Sequence, residues 1–125
     1  MNNEKYSIAI IDDETEILNV LSRFLVRNPN FSVNTYSNPI SALNSIENTK
    51  VDLVLLDIMM PQMNGLEVLE KLKTKNPEQK VIMMTAYSTL DKVLKSHKEG
   101  ATNYVMKPFD SLQALEKKIL EVLKS

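Results

Sequence analysis

The sequence predicts an α/β protein in which a five-stranded parallel sheet is doubly wound by helices in the order (βα)5. Three observations carry the expectation. Five short apolar or β-rich runs alternate with segments of helical period. Three of those runs are continuously apolar, as strands covered on both faces of a sheet must be. No repeat, low-complexity tract or Gly/Ser linker interrupts the alternation along 125 residues, a length that suits one domain.

In chain order, the first strand is read at Ser7 to Ile11, followed by a helical stripe of Ile17, Leu18, Leu21, Phe24 and Leu25. The second strand spans Phe31 to Tyr36. Asn38 before Pro39 is a helix cap with proline at the first helical position, ahead of Ile40, Leu43 and Ile46. A third strand, Leu53 to Leu56, precedes a helix marked by Leu66, Leu69 and Leu72. Val81 to Met84 forms the fourth strand, and Leu90, Val93, Leu94 and His97 a fourth helix stopping at Gly100. Tyr104 to Met106 is the fifth strand, and Leu112, Leu115, Ile119, Val122 and Leu123 define the last helix.

Composition narrows the function classes. Sixteen acidic against 15 basic side chains leave a formal charge of -1, without the basic excess of a general nucleic-acid surface. With no cysteine, thiolate chemistry, disulfides and Cys-ligated zinc are excluded, and a reducing cytoplasm is the expected compartment. The longest apolar runs are four residues, far short of the ~20 needed for a membrane helix. Met1-Asn2-Asn3-Glu4-Lys5 lacks the pattern of a signal peptide.

Ligands of open α/β sheets sit beyond the carboxyl ends of the strands, where strand order reverses. There the sequence places Asp12-Asp13 after the first run, Asp57 after the third, Thr85 after the fourth and Lys107-Pro108 after the fifth. Three ionised carboxylates held together repel; at ~4 Å and an effective dielectric near 20 each pair costs roughly 4 kcal/mol. Either a proton is shared, or a hard dication occupies the site. Carboxylates, a backbone carbonyl and waters suit Mg²⁺, and Lys107 is then a phosphate partner. An aspartate beside both cations can attack a phosphoryl group.

The segments Ile8-Ala9-Ile10-Ile11-Asp12-Asp13-Glu14, Leu55-Leu56-Asp57 through Asn64-Gly65, Met84-Thr85-Ala86 and Gly100 through Lys107-Pro108-Phe109 resemble the receiver domain of two-component response regulators. The resemblance spans essentially the whole chain and is closest to single-domain, chemotaxis- or phosphorelay-like receivers. It implies a flavodoxin-like fold with Asp57 as phosphoacceptor. Asp13, Asp57 and the Met59 carbonyl are implied as direct Mg²⁺ ligands, with Asp12 acting through water. It implies further that Thr85 binds one phosphoryl oxygen, that Lys107 pairs with another across a cis Lys107-Pro108 bond, and that Tyr104 is the aromatic whose rotamer follows Thr85. Met59 and Tyr87 occupy positions that tune lifetime, and their bulk predicts slow dephosphorylation.

The implied partners are a sensor histidine kinase or histidine phosphotransfer protein and a downstream protein target. The target is expected to be met by a face of the fourth helix, fifth strand and last helix, with Met106, Lys92, Lys95 and Lys118 as contacts. The expected domain is 1–125 with no output domain, no direct nucleic-acid or membrane binding, and a monomer or phosphorylation-dependent dimer. The domain is expected to be a signalling phosphoacceptor and not an enzyme, catalysing only its own phosphorylation and dephosphorylation.

Other readings of the same residues stand beside these. Asp13 with Glu16 makes a capping-box-like pair, so Asp12-Asp13 could cap the first helix. Lys107 alone would be a solvated strand end, Thr85 a plain β-branched strand residue, and Tyr104 plain sheet packing with a wet hydroxyl. His97 is a packed or half-exposed helix residue. The methionines are mostly core gap-fillers. The rival function is a Mg²⁺-dependent phosphatase or phosphotransferase with an aspartyl intermediate. Such enzymes of the haloacid dehalogenase type carry a second aspartate where this chain has Met59. A nucleotide or flavin module would need a glycine-rich turn after the first strand, which is missing.

Overall fold

The structure, a computed structural model, describes residues 5–85, 103–107, 109 and 111–125, apart from the side chain of Thr85. The predicted fourth helix, with Lys92, Lys95 and His97, lies outside the described residues, as do Tyr87 and Pro108 and with it the cis expectation.

Among the described residues five strands and four helices follow one another, in the expected alternation up to β4: β1 (Tyr6–Ile11), α1 (Thr15–Leu25), β2 (Phe31–Tyr36), α2 (Pro39–Glu47), β3 (Leu53–Asp57), α3 (Gly65–Lys75), β4 (Lys80–Thr85), β5 (Asn103–Met106) and a C-terminal helix (Leu112–Leu123). All pairings are parallel, in the order β2-β1-β3-β4-β5. The chain therefore winds outward from β1 to β2, then crosses back over β1 to β3 and proceeds the other way. That reversal lies between β1 and β3.

The continuous apolar runs are explained by two cores, one on each face. Ile8, Ile10, Leu53, Leu55, Ile82 and Met84 point to the side covered by α1 and the C-terminal helix. Their neighbours Ala9, Ile11, Val54, Leu56, Val81 and Met83 point to the side covered by α2 and α3. Every residue of β3 is buried, whereas β2, at the edge, exposes Ser32, Asn34 and Thr35. Burying a Leu or Ile side chain stabilises by roughly 1.5–3 kcal/mol, so the three central strands hold most of the driving force.

Among the described residues the helix signals hold with two corrections. The Asn38 side chain accepts from the backbone N–H of Ile40 (2.8 Å) and Ser41 (3.2 Å), satisfying donors that α2 cannot. Ile40, however, is exposed; the buried stripe of α2 is Pro39, Ala42 and Ile46, because proline occupies the first inward position. In α1, Leu18, Leu21 and Leu25 are buried as the period requires, but the N-cap is Glu14, not Asp13. The capping-box reading of Asp13 and Glu16 is thereby overturned. Four strands extend one residue further than expected at one or both ends, so Asp57 and Thr85 close β3 and β4 and do not follow them.

Gly65 opens α3 where no side chain fits. A Cβ there would lie 2.1 Å from the Asp57 carbonyl oxygen and 2.7 Å from Ile58 Cα. Its N–H donates to the Ile58 carbonyl at 2.8 Å, so the start of α3 is fastened to the end of β3.

Candidate functional site

Register determines which side chains meet at the carboxyl rim. Ile11 pairs with Leu56 and Thr85 with Met106, so Asp12 and Asp57 leave adjacent strands at the same level and Lys107 follows immediately after β5. Asp12, Asp13 and Asp57 each offer a carboxylate oxygen, all within 4.8 Å of one another. Asp12 is fully buried, Asp57 nearly so, and Asp13 half-buried.

Among the described residues one cation answers them. Lys107 Nζ donates to Asp12 Oδ2 at 2.7 Å, to Asp57 Oδ1 at 3.2 Å and to Glu14 Oε1 at 3.2 Å, which uses all three ammonium protons. The other oxygen of Asp12, Oδ1, accepts from the Glu14 N–H at 2.9 Å and closes the turn into α1. Asp12 thus holds both the turn and the lysine. A burial cost paired with a charge-assisted bond is the condition under which an acid persists at 0 % exposure.

The electrostatics follow from burial. Asp57 is raised from the ordinary 3.8 to about 6, first by desolvation and then by the charge of Asp12; Lys107 acts in the opposite sense. Asp12 is also raised, mainly by burial, with Lys107 and the Glu14 N–H opposing. For Lys107 desolvation is the largest single influence and lowers its pKa, but the carboxylates of Asp12 and Asp57 together outweigh it and the net shift is upward. The ammonium stays charged; the acids are left under-compensated.

Such a set fits a hard dication. Its donors are oxygens, they converge within one coordination sphere's reach, and the cluster holds more negative charge than one ammonium offsets. Mg²⁺ retains waters where protein ligands are few, so a partly open cluster of this kind is suited to it.

The remaining predicted positions distribute as follows. Met59 lies in the loop between β3 and α3, with its side chain half-exposed. Thr85 ends β4 beside Met106 of β5. Tyr104 is partly buried against the core on the α2 and α3 side. Of the docking contacts, Met106 is exposed, while Lys118 Nζ is engaged by Asn103 Oδ1 at 3.0 Å. Met83 and Met84 are buried in the core as expected of most of the methionines, Met60 is buried too, and Met59 and Met106, given other parts, are exposed.

Two residues had no assigned part in the sequence reading. Gly65 could have been suspected from its place directly before an amphipathic helix. Glu14 gave no signal beyond being the third acid in a row, and only the fold brings it to Lys107. A cavity of about 950 Å³ lies at the opposite end of the sheet between α2 and α3, lined by Leu43, Val51, Met63, Leu72 and Gln79. It is remote from every group with a shifted pKa.

Comparison with known proteins gives a consistent result. Residues 8–120 match the family model of the response regulator receiver domain. The transcriptional regulatory protein ZraR of Klebsiella oxytoca is 38% identical over 115 residues, covering 90% of this chain and 26% of that protein. The DNA-binding transcriptional regulator NtrC of Escherichia coli K12 is 36% identical over 108 residues, or 86% of this chain and 23% of that one. The chain thus spans about a quarter of the length of these curated relatives. A crystal structure of a CheY-like response regulator receiver domain protein from Methanospirillum hungatei superimposes with a TM-score of 0.91 at 36% identity, covering 97% of this chain and 95% of that one.

Proposed function

The chain belongs to the response regulator receiver domain family, and from that premise we propose that Asp57 accepts a phosphoryl group from a phosphohistidine of a sensor histidine kinase or phosphotransfer protein. The observation that carries this is the clustering of Asp12, Asp13 and Asp57 at the reversal point of the sheet, with Lys107 bound to Asp12 and Asp57.

With Oδ1 of Asp57 held by Lys107, Oδ2 is the oxygen presented to phosphorus. As its bond to phosphorus forms, the bond from phosphorus to the imidazole nitrogen breaks, and the histidine keeps the electron pair. Asp57 must be ionised to attack, which its pKa of about 6 allows at neutral pH. Lys107 follows the negative charge onto a phosphoryl oxygen and meets it with a preorganised donor. Asp13, Asp57 and the Met59 carbonyl would hold Mg²⁺ directly, and Asp12 through water. When bound, the ion neutralises charge on the phosphoryl oxygens.

The added charge draws the Thr85 hydroxyl toward the phosphoryl group, and Tyr104 takes the space it leaves. The two states differ in the face made by the fourth predicted helix, β5 and the C-terminal helix, on which a downstream protein docks. Its shift is limited by the phosphate's differential interaction with the two arrangements. A shallow cavity of about 220 Å³ bordered by Tyr104, Met106, Phe109 and Lys118 lies on that face and supports the reading. The domain acts in the cytoplasm as a monomer or phosphorylation-dependent dimer. It contacts neither nucleic acid nor membrane itself; no helix among the described residues is long and apolar enough to cross one.

Incubation with Mg²⁺ and acetyl phosphate, followed by intact mass, tests the proposal. One base-labile phosphoryl adduct in the native chain and none in Asp57→Asn is expected. Steady hydrolysis of the donor without an adduct would establish the phosphatase alternative.

A further inference from the structure

Glu14 occupies the N-cap of α1, a position where Ser, Thr, Asp or Asn normally accepts a bond from the first turn, yet its side chain makes no capping bond. Its N–H is satisfied by Asp12 Oδ1. The carboxylate turns instead to Lys107, at 3.2 Å, and is 60% exposed where Asp12 and Asp57 on the same ammonium are 0% and 7% exposed. A capping hydrogen bond does not explain this placement, because the side chain donates and accepts none at the helix end.

We propose that Glu14 is a positioning residue that holds Lys107 at the mouth of the acidic cluster and restrains phosphorylation until the lysine is released from it. The inference rests on the phosphoacceptor reading of Asp57. An ammonium has three protons, and all three are engaged by Asp12, Asp57 and Glu14. To meet a phosphoryl oxygen, Lys107 must surrender one contact. Asp12 is the shortest and the most buried, and its loss would leave an unpaired acid in the core. Glu14 is the solvent-screened contact and the cheapest to give up. Its carboxylate shares Lys107 with Asp57, so it opposes a dianionic phosphoryl group at Asp57 both by occupying the donor and by like charge. The same negative charge favours a divalent cation. Glu14 therefore acts with opposite sign on the two ligands of one site.

The test uses Glu14→Ala, which removes the contact without removing a cap bond, and Glu14→Gln, which keeps a neutral acceptor. At saturating Mg²⁺ and low ionic strength, acetyl phosphate should phosphorylate Glu14→Ala about 2- to 5-fold faster than the native chain, the range expected for one exposed ion pair, with Glu14→Gln between them. The advantage should shrink toward unity at ~1 M salt, where the Debye length falls to about 3 Å. Without a phosphodonor, calorimetric Mg²⁺ affinity should fall in both variants. Equal or slower phosphorylation of both variants, a salt-independent gain, or unchanged Mg²⁺ affinity would overturn the proposal. Absence of an adduct in the native chain would instead bring down the phosphoacceptor reading, and this inference with it.

Discussion

Replacing Asp57 by asparagine should make the protein more stable in the absence of divalent cations, although it removes the group on which function depends. Burial and the Asp12 charge raise Asp57 from 3.8 to about 6, so the ionised form is less favourable in the folded chain than in the unfolded one. The unfolded state binds fewer protons than the folded state between these values, and stability falls as pH rises through that window. The shift of roughly two units corresponds to about 3 kcal/mol of cost, fully present above pH ~7. Asparagine is neutral throughout and escapes it. By linkage, the advantage of Asp57→Asn is about 3 kcal/mol at pH 7.5 and about a third of that at pH 4.5. Urea unfolding of both chains in chelator, at those two pH values, measures it. Saturating Mg²⁺ should reverse the order at pH 7.5, because a ligand held by the ionised acid stabilises only the native chain. An unchanged or lower stability of Asp57→Asn at pH 7.5, or a gain that does not depend on pH, would refute the assignment of unrelieved charge to this residue.

Two other substitutions probe the same frame. Lys107→Met leaves Asp12 and Asp57 without their cation in a buried place, and should cost about 3 kcal/mol at neutral pH, less in acid, with partial recovery on adding Mg²⁺; urea unfolding with and without the ion reports all three. Gly65→Ala puts a methyl group 2.1 Å from a backbone carbonyl that cannot move aside without shifting β3, and should cost about 3 kcal/mol or more in thermal or urea unfolding while weakening Mg²⁺ binding through the displaced Asp57.

Much of this was legible in the sequence because the signals are local. The runs Ile8 to Ile11, Leu53 to Leu56 and Val81 to Met84 cannot hide on one face of anything, so a sheet with two cores was the available solution. Asn38-Pro39 announced the start of α2 because a side-chain acceptor and a missing donor are both what a helix start requires. What failed depended on which neighbour takes an inward or capping place, or on contacts far apart in the chain. Ile40 reads as part of a stripe until Pro39 takes the inward position. Asp13 reads as a cap until Asp12 closes the turn and the helix begins one residue later. Glu14 meets Lys107 across 93 positions, and no spacing rule within either segment reports it. The acids and lysine were recognisable as a set only through strand ends; which oxygen faces which proton is decided by register.

The cation of this site follows β5, the four-residue strand that pairs with β4 alone and leaves Met106 exposed, whereas the acids sit on the innermost strands. Fraying of that border strand would drag an ammonium out from between two sequestered anions, so the ion trio works as a latch on the sheet's weakest margin. Amide hydrogen exchange at Tyr104 and Val105 should therefore be slowed by electrostatics as much as by packing. An ion that takes over Lys107's task would undo the latch, and loosen the border without touching it.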